Sequence, residues 1–168
     1  MTGGRMDKQK NNGLGDILIS PALVILDLEA ETDQEAIEKL ANRLLEQGVV
    51  KESYVPAVKQ RERDFCTGLG YKEMGVAIPH TDSIHVNRQA IGIGILKKPV
   101  AFCAMGMPDE TVEVEIMFML AIEKPDAQIT FLSKMIDVFQ QHGCLKSVRS
   151  SATPEEAVQR FLRFLNDQ

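Results

Sequence analysis

The chain has 168 residues, with 19 Lys and Arg against 24 Asp and Glu, a net charge of −5. That length fits one domain, and 44% apolar with 26% charged residues describes an ordinary globular chain. The acidic balance, the absence of Trp and only 5% aromatic residues argue against a nucleic-acid binder, which wants a basic face and stacking platforms. No apolar run approaches the length of a membrane span and the N-terminus has no apolar signal core. No membrane insertion is expected, and the chain reads as cytoplasmic. The three cysteines, Cys66, Cys103 and Cys144, are far apart and form no CxxC pair. They read as buried or surface thiols in a reducing compartment, not as a disulfide framework or a metal site.

Residues 1–15 are polar and rich in Gly and Asn, and read as a disordered leader whose first five residues resemble a cloning remnant. Residues 16–168 read as one domain. Val24-Ile25-Leu26 is a β-branched run ending at Asp27 and predicts a strand. Thr32-Asp33-Gln34-Glu35 has the form of a capping box, and Ile37, Leu40, Ala41, Leu44 and Leu45 give a helical stripe that Gly48 stops. A second short helix starts at Glu52 or Ser53 and runs to about Gln60, with Pro56 tolerated in its first turn. Arg61 to Gly75 reads as loop.

Val76-Ala77-Ile78 predicts a strand that Pro79 closes, with His80 just beyond its end. Ala90–Leu96 alternates Ile with Gly or Ala, a strand against which something packs closely. Thr111–Ile122 alternates and then turns wholly apolar, as a strand entering a buried sheet does. Ile129, Leu132, Met135, Ile136 and Phe139 mark a helix stopped by Gly143. Thr153-Pro154-Glu155-Glu156 caps a last helix with the stripe Val158, Phe161, Leu162 and Leu165. Helices alternating with buried strands predict an α/β sandwich around a mixed sheet.

The chemistry concentrates near His80. A histidine just past a strand's carboxyl end stands where α/β sheets place reacting groups, and Pro79 fixes the backbone before it. Asp82, Thr81 or a nearby carbonyl is available to hold one ring nitrogen and choose the tautomer. Arg61 lies upstream of the segment that returns to His80. Histidine beside guanidinium makes sense when an anion sits between them, and a guanidinium fork suits phosphate. Arg63 and Asp64 read as solvated charges, and His85 and His142 as solvent-facing. Met117 and Met119 read as core. The short G-x-G of Gly68-Leu69-Gly70 is no phosphate loop, and the three histidines lack the spacing of a metal site.

Arg61-Glu62, Thr67-Gly68-Leu69 and Gly75-Val76-Ala77-Ile78-Pro79-His80 together resemble the enzyme IIA components of sugar phosphotransferase systems, of the fructose/mannitol type. The run from Thr67 to Asp82 is most similar to the galactitol-type branch, and the likeness spans about Ile17 to Phe164. The resemblance implies a mixed sheet of about five strands flanked by helices, a three-layer sandwich. It implies a phosphoryl carrier that accepts phosphate from the phosphocarrier HPr on His80. It passes the group to a cysteine of a cognate IIB protein, which serves a membrane IIC permease. Arg61 would hold the phosphoryl oxygens, with Thr67 and Glu62 supporting the pocket. Positioning and charge stabilisation suffice for such transfer, so no cofactor and no metal are called for. Where relatives of the fructose and mannitol type carry a second histidine, this chain has Gln128, which cannot be cationic but can support the pocket by donating a hydrogen bond to a phosphoryl oxygen or by orienting the His80 ring. Two other readings stand beside this one. A regulatory module of the same fold would use His80 to sense phosphorylation. A small hydrolase would use His80 as base with Asp82 as its orienter, Cys66 being the nearby thiol.

Overall fold

The computed structural model describes residues 16–167; the leader expected at 1–15 lies outside them. The strands are β1 (Val24–Leu28), β2 (Gly68–Gly70), β3 (Gly75–Ala77), β4 (Ala90–Ala104) and β5 (Met107–Ala121). The helices are α1 (Asp33–Glu46), α2 (Tyr54–Asp64), α3 (Ala127–Phe139), α4 (Cys144–Arg149) and α5 (Pro154–Asn166). Strands β4 and β5 form one long antiparallel hairpin, from Ala90 opposite Ala121 to Ala104 opposite Met107. β1 runs parallel to β4 on its outer side, and β3 runs parallel to β5 on the other. β2 pairs antiparallel with β3 and meets the far end of β4 where Gly68 faces Ala104. The result is a five-stranded mixed sheet.

Alternation along β5 divides the core. Ile116, Phe118 and Leu120 pack with Phe131, Met135, Phe139, Val148 and Phe161 of α3, α4 and α5. Met117, Met119 and Ala121 pack with Ile37, Leu40, Leu44, Tyr54 and Val58 of α1 and α2. A sheet carrying an apolar cluster on each face is the expected three-layer sandwich. Both predicted caps form: Thr32 accepts from the Glu35 amide and Thr153 from the Glu156 amide, each at 3.1 Å. The glycines of β4 do what their pattern implies. A Cβ at Gly92 would come within 2.5 Å of Leu44 Cδ1, so glycine lets α1 settle onto the sheet.

Three expectations need correction. Arg61 to Gly75 is not all loop: α2 continues to Asp64, and β2 lies inside it. β4 does not stop at Leu96 but continues eight residues to Ala104. The exposed Lys97-Lys98-Pro99 interrupts the apolar pattern there, and the register shifts between Ile95 and Val100, where a proline is tolerated. Beyond α3, Gly143 (φ +82°) precedes a further helix, α4, too short to have shown a stripe.

At Gly75 the backbones of β3 and β5 are in direct contact, and a Cβ would fall on the Glu113 carbonyl oxygen. A backbone oxygen in a paired strand cannot swing aside. Gly75→Ala is expected to lower stability by ~1–3 kcal/mol, the usual cost of forcing an extra methyl into a packed site. Urea unfolding should show an earlier midpoint with an unchanged slope; an unmoved midpoint would mean that β3 has room to shift.

Candidate functional site

α2 buries Tyr54, Val58 and Glu62, spaced by four on one face. The Tyr54 hydroxyl donates to the Leu120 carbonyl at 2.7 Å and fastens the helix to β5. One position before the end of that stripe stands Arg61. The buried position given to Glu62, only 2% exposed, is a demanding one for a carboxyl. Thr67 meets the demand by donating its backbone N–H to Oε2 and its hydroxyl to Oε1, each at 2.8 Å. The same Thr67 hydroxyl oxygen accepts the Ile78 N–H at 3.2 Å. Burial is the leading cause that pushes the Glu62 carboxyl up to about 7, against the two bonds from Thr67, which lower it.

The chain leaves β3 through Ile78 and Pro79. The Leu120 N–H donates to the Pro79 carbonyl at 3.0 Å, so His80 is held in a parallel bridge beside Leu120. His80 is 7% exposed. Its Nδ1 lies 2.9 Å from the Ile78 carbonyl, and since a carbonyl only accepts, Nδ1 carries the proton. The neutral ring then has its lone pair on Nε2. Burial lowers the His80 pKa, and the Arg61 charge lowers it further, while the Ile78 bond and Asp82 act the other way. A nucleophilic, uncharged imidazole is therefore the resting state at neutral pH.

Arg61 is half-buried, its guanidinium carbon 4.5 Å from the centre of the exposed Phe65 ring. Its Nε is buried without a hydrogen-bond partner. A buried donor left unpaired is costly, and an oxyanion beside it removes the cost. Gln128, in the first turn of α3, donates its side-chain amide to the Thr81 carbonyl at 3.0 Å. It thus reaches the segment that carries His80, but at the residue after it and not at the ring.

The structure joins Glu62, Thr67, Ile78 and His80 in one hydrogen-bonded series, with Arg61 beside it. The Thr67 hydroxyl, expected to support the pocket directly, is engaged by Glu62 and Ile78. Sequence reasoning left three candidates for the His80 ring partner, and the carbonyl holds it. Arg63 and Asp64 are exposed and His142 is exposed, as expected. His85 is not simply solvent-facing: it is half-buried, and its Nδ1 bonds the Ser53 hydroxyl at 2.8 Å, next to the start of α2. The cysteines overturn a second expectation. Cys66 and Cys103 are joined by a disulfide, Cα atoms 5.3 Å apart, and only Cys144 is a thiol. No spacing rule pairs two cysteines 37 residues apart; the bond follows from β2 meeting the end of β4. The hydrolase reading loses both its parts, since Cys66 is bonded and Asp82 does not hold the ring.

Residues 17–163 match the family described as phosphoenolpyruvate-dependent sugar phosphotransferase system, EIIA 2, and the chain belongs to that family. It is 31% identical over 149 residues to the transcriptional regulator ManR of Bacillus subtilis, a match covering 88% of this chain and 21% of the regulator. The chain thus spans about a fifth of that relative. It is 30% identical over 114 residues to the galactitol-specific EIIA component of Escherichia coli K12, covering 68% of this chain and 75% of that protein. A complex of enzyme IIAMTL with phosphorylated enzyme IIBMTL from Escherichia coli shares the fold. Its TM-score is 0.70 at 17% identity, over 90% of this chain and 99% of that one. Among the described residues no helix is long and apolar enough to cross a membrane.

The raised Glu62 carboxyl carries an expectation with a definite sign. Between pH 4.5 and about 7 the folded protein keeps a proton at Glu62 that the unfolded chain has released. Stability is therefore lost as pH rises through that window, by up to ~3 kcal/mol. Glu62→Gln has no proton to lose. The stability difference between variant and wild type, from urea unfolding at pH 4.5 and pH 8, should move by that amount in the variant's favour. Curves that run parallel across the two pH values would show that Glu62 titrates normally.

Proposed function

We propose that this chain is the phosphoryl carrier of a sugar phosphotransferase system, with the phosphoryl group carried on Nε2 of His80. The observation that carries this reading is the pairing of an uncharged imidazole, its Nδ1–H spent on the Ile78 carbonyl, with a guanidinium whose buried Nε has no partner. The donor is the phosphohistidine of HPr. The Nε2 lone pair attacks phosphorus in line, the N–P bond of the donor breaks, and its electron pair returns to the donor imidazole. In the onward step a cysteine thiolate of a cognate IIB protein attacks the same phosphorus, and the electron pair of the His80 N–P bond returns to Nε2. Arg61 supplies donors for the phosphoryl oxygens, whose charge is greatest in the transition state. Glu62 and Thr67 hold the Ile78 backbone, and Gln128 holds Thr81, so both flanks of His80 are fixed.

The likeness to the galactitol-specific component and to the complexed mannitol enzyme supports a IIB partner. Three large apolar side chains are exposed on segments that bear the site: Phe65 under Arg61, Ile84 just beyond His80, and Ile129 beside Gln128. They suit a protein partner that closes over the histidine in the cytoplasm, while a IIC permease takes part only through IIB. A second reading, a phosphorylation-sensing regulatory module, is favoured by the 31% identity to ManR. Onward transfer to a IIB protein separates the two.

Incubation with phosphoenolpyruvate, enzyme I and HPr should place one acid-labile phosphoryl group on the chain. His80→Ala should carry none. Arg61→Lys should melt within a degree or two of wild type yet transfer roughly ten- to thousand-fold more slowly, the range for losing one preorganised donor. A labelled His80→Ala protein would refute the assignment.

The pH dependence is equally specific. Acceptance requires the neutral ring, and the His80 pKa lies below the usual 6.5. The rate of phosphorylation, corrected for the donor's own profile, should stay level as pH falls through 6.5 and decline only below it. A midpoint at or above 6.5 would contradict a desolvated histidine.

A further inference from the structure

The bond between Cys66 and Cys103 joins the site to the far end of the hairpin, and nothing in the phosphoryl chemistry uses it. Cys66 lies between the two residues that organise the acceptor. On one side Phe65 stacks against the Arg61 guanidinium. On the other Thr67 binds Glu62 and the Ile78 N–H. Cys103 precedes Ala104, the residue of β4 that faces Gly68. The bond closes a loop of chain from 66 to 103 that contains β2, β3 and His80 itself.

Without the bond, little ties this junction to β4. β2 has three residues and a single paired position with β4, Gly68 opposite Ala104, supported by the Met105 N–H donating to the Gly68 carbonyl at 2.8 Å. The sulfur bridge is the covalent tie between this junction and β4, added to the Thr67 hydrogen bonds and the pairing of β2 with β3. Both cysteines are partly exposed, so a small or protein dithiol has access. Cys144 is buried and its thiol is pushed up to about 12, by burial first and the Glu73 charge second, so it does not compete for either partner.

We propose that Cys66 and Cys103 form a reversible redox site that sets the rate of phosphoryl transfer at His80, through the α2–β2 junction. The proposal rests on the carrier reading above. The co-reactant is a dithiol. Its thiolate attacks one sulfur of the bridge and forms a mixed disulfide. Its second thiol then displaces the remaining protein thiolate. Two electrons and two protons pass to the protein, leaving Cys66 and Cys103 as thiols and the reagent as its disulfide. Reduction frees residues 65–67. Arg61 loses a fixed Phe65 to stack on, the Thr67 bonds to Glu62 and Ile78 loosen, and the imidazole is less well held. Oxidation restores the fast form.

The test uses the full chain in two states, air-oxidised and treated with excess dithiothreitol under argon. Alkylation after unfolding should add one group to the oxidised chain and three to the reduced one, from its three cysteines. Each state is then mixed with phosphorylated HPr, and the initial rate of acid-labile labelling is read. The oxidised form should label roughly ten-fold faster than the reduced form, less than the hundredfold that a misplacement of about 1 Å can cost. The Cys66→Ser/Cys103→Ser variant should match the reduced rate and be indifferent to dithiothreitol, and its circular dichroism should match that of the reduced wild type. Equal rates in two states of confirmed thiol count would overturn the redox site and leave the carrier reading intact. Three alkylations in the oxidised sample would overturn the bond. Failure of both states to label would remove the carrier reading and this proposal with it.

Discussion

Glu62 loses its water when α2 packs on the sheet, and Thr67 supplies two donors in exchange. A carboxyl buried without such partners would cost several kcal/mol, so the exchange is a condition of α2 lying where it does. From that one contact the geometry spreads outward. Thr67 must be close to α2, which brings Gly68 to the end of β4. Its hydroxyl must also take the Ile78 N–H, which fixes the strand from which Pro79 and His80 emerge. The helix that presents Arg61 and the strand that presents His80 are thus set against each other by a side-chain pair that touches no reacting atom.

The electrostatics at the site follow from what surrounds His80 and Arg61. On the proposed function, a histidine cationic at rest would be repelled by Arg61 and could not attack phosphorus. Burial and the guanidinium together keep it neutral, and a main-chain carbonyl chooses which nitrogen bears the proton. The guanidinium keeps one buried donor in reserve. Such a pair is poorly satisfied by itself, and on the proposed function a phosphoryl group would satisfy it.

Much of this was legible in the residues. Strand-end proline followed by histidine, two capping boxes and the Ile/Gly alternation of Ala90–Leu96 each have a local cause that survives into the folded chain. Glu62 enters only through the resemblance, as a support of the pocket; the four-residue spacing of Tyr54, Val58 and Glu62 that buries it is local, but the neighbouring charges of Arg61, Arg63 and Asp64 obscure it. What did not show was non-local. Lys97-Lys98-Pro99 hid the second half of β4 because its side chains face solvent while its backbone stays near β5. The carbonyl that binds His80 has no signature, since every residue has one. The Cys66–Cys103 bond depends on a single pairing between β2 and β4, which no periodicity in either segment announces.

The pairing of β3 with β5 governs when the site comes into being during synthesis. β3 has three residues, and besides β2 its neighbour is β5, whose matching residues Val114 to Met117 come about forty positions later. Until the hairpin has been made and folded, Val76 has only β2 beside it and His80 has no Leu120 to lie beside. Contacts of that sequence separation form late and slowly, because loop closure precedes their reward. A chain emerging from the ribosome therefore holds its histidine uncommitted until Leu120, forty residues further on, has followed it. The candidate site is complete only when α3 brings Gln128 to Thr81, well after Arg61 and His80 have been made.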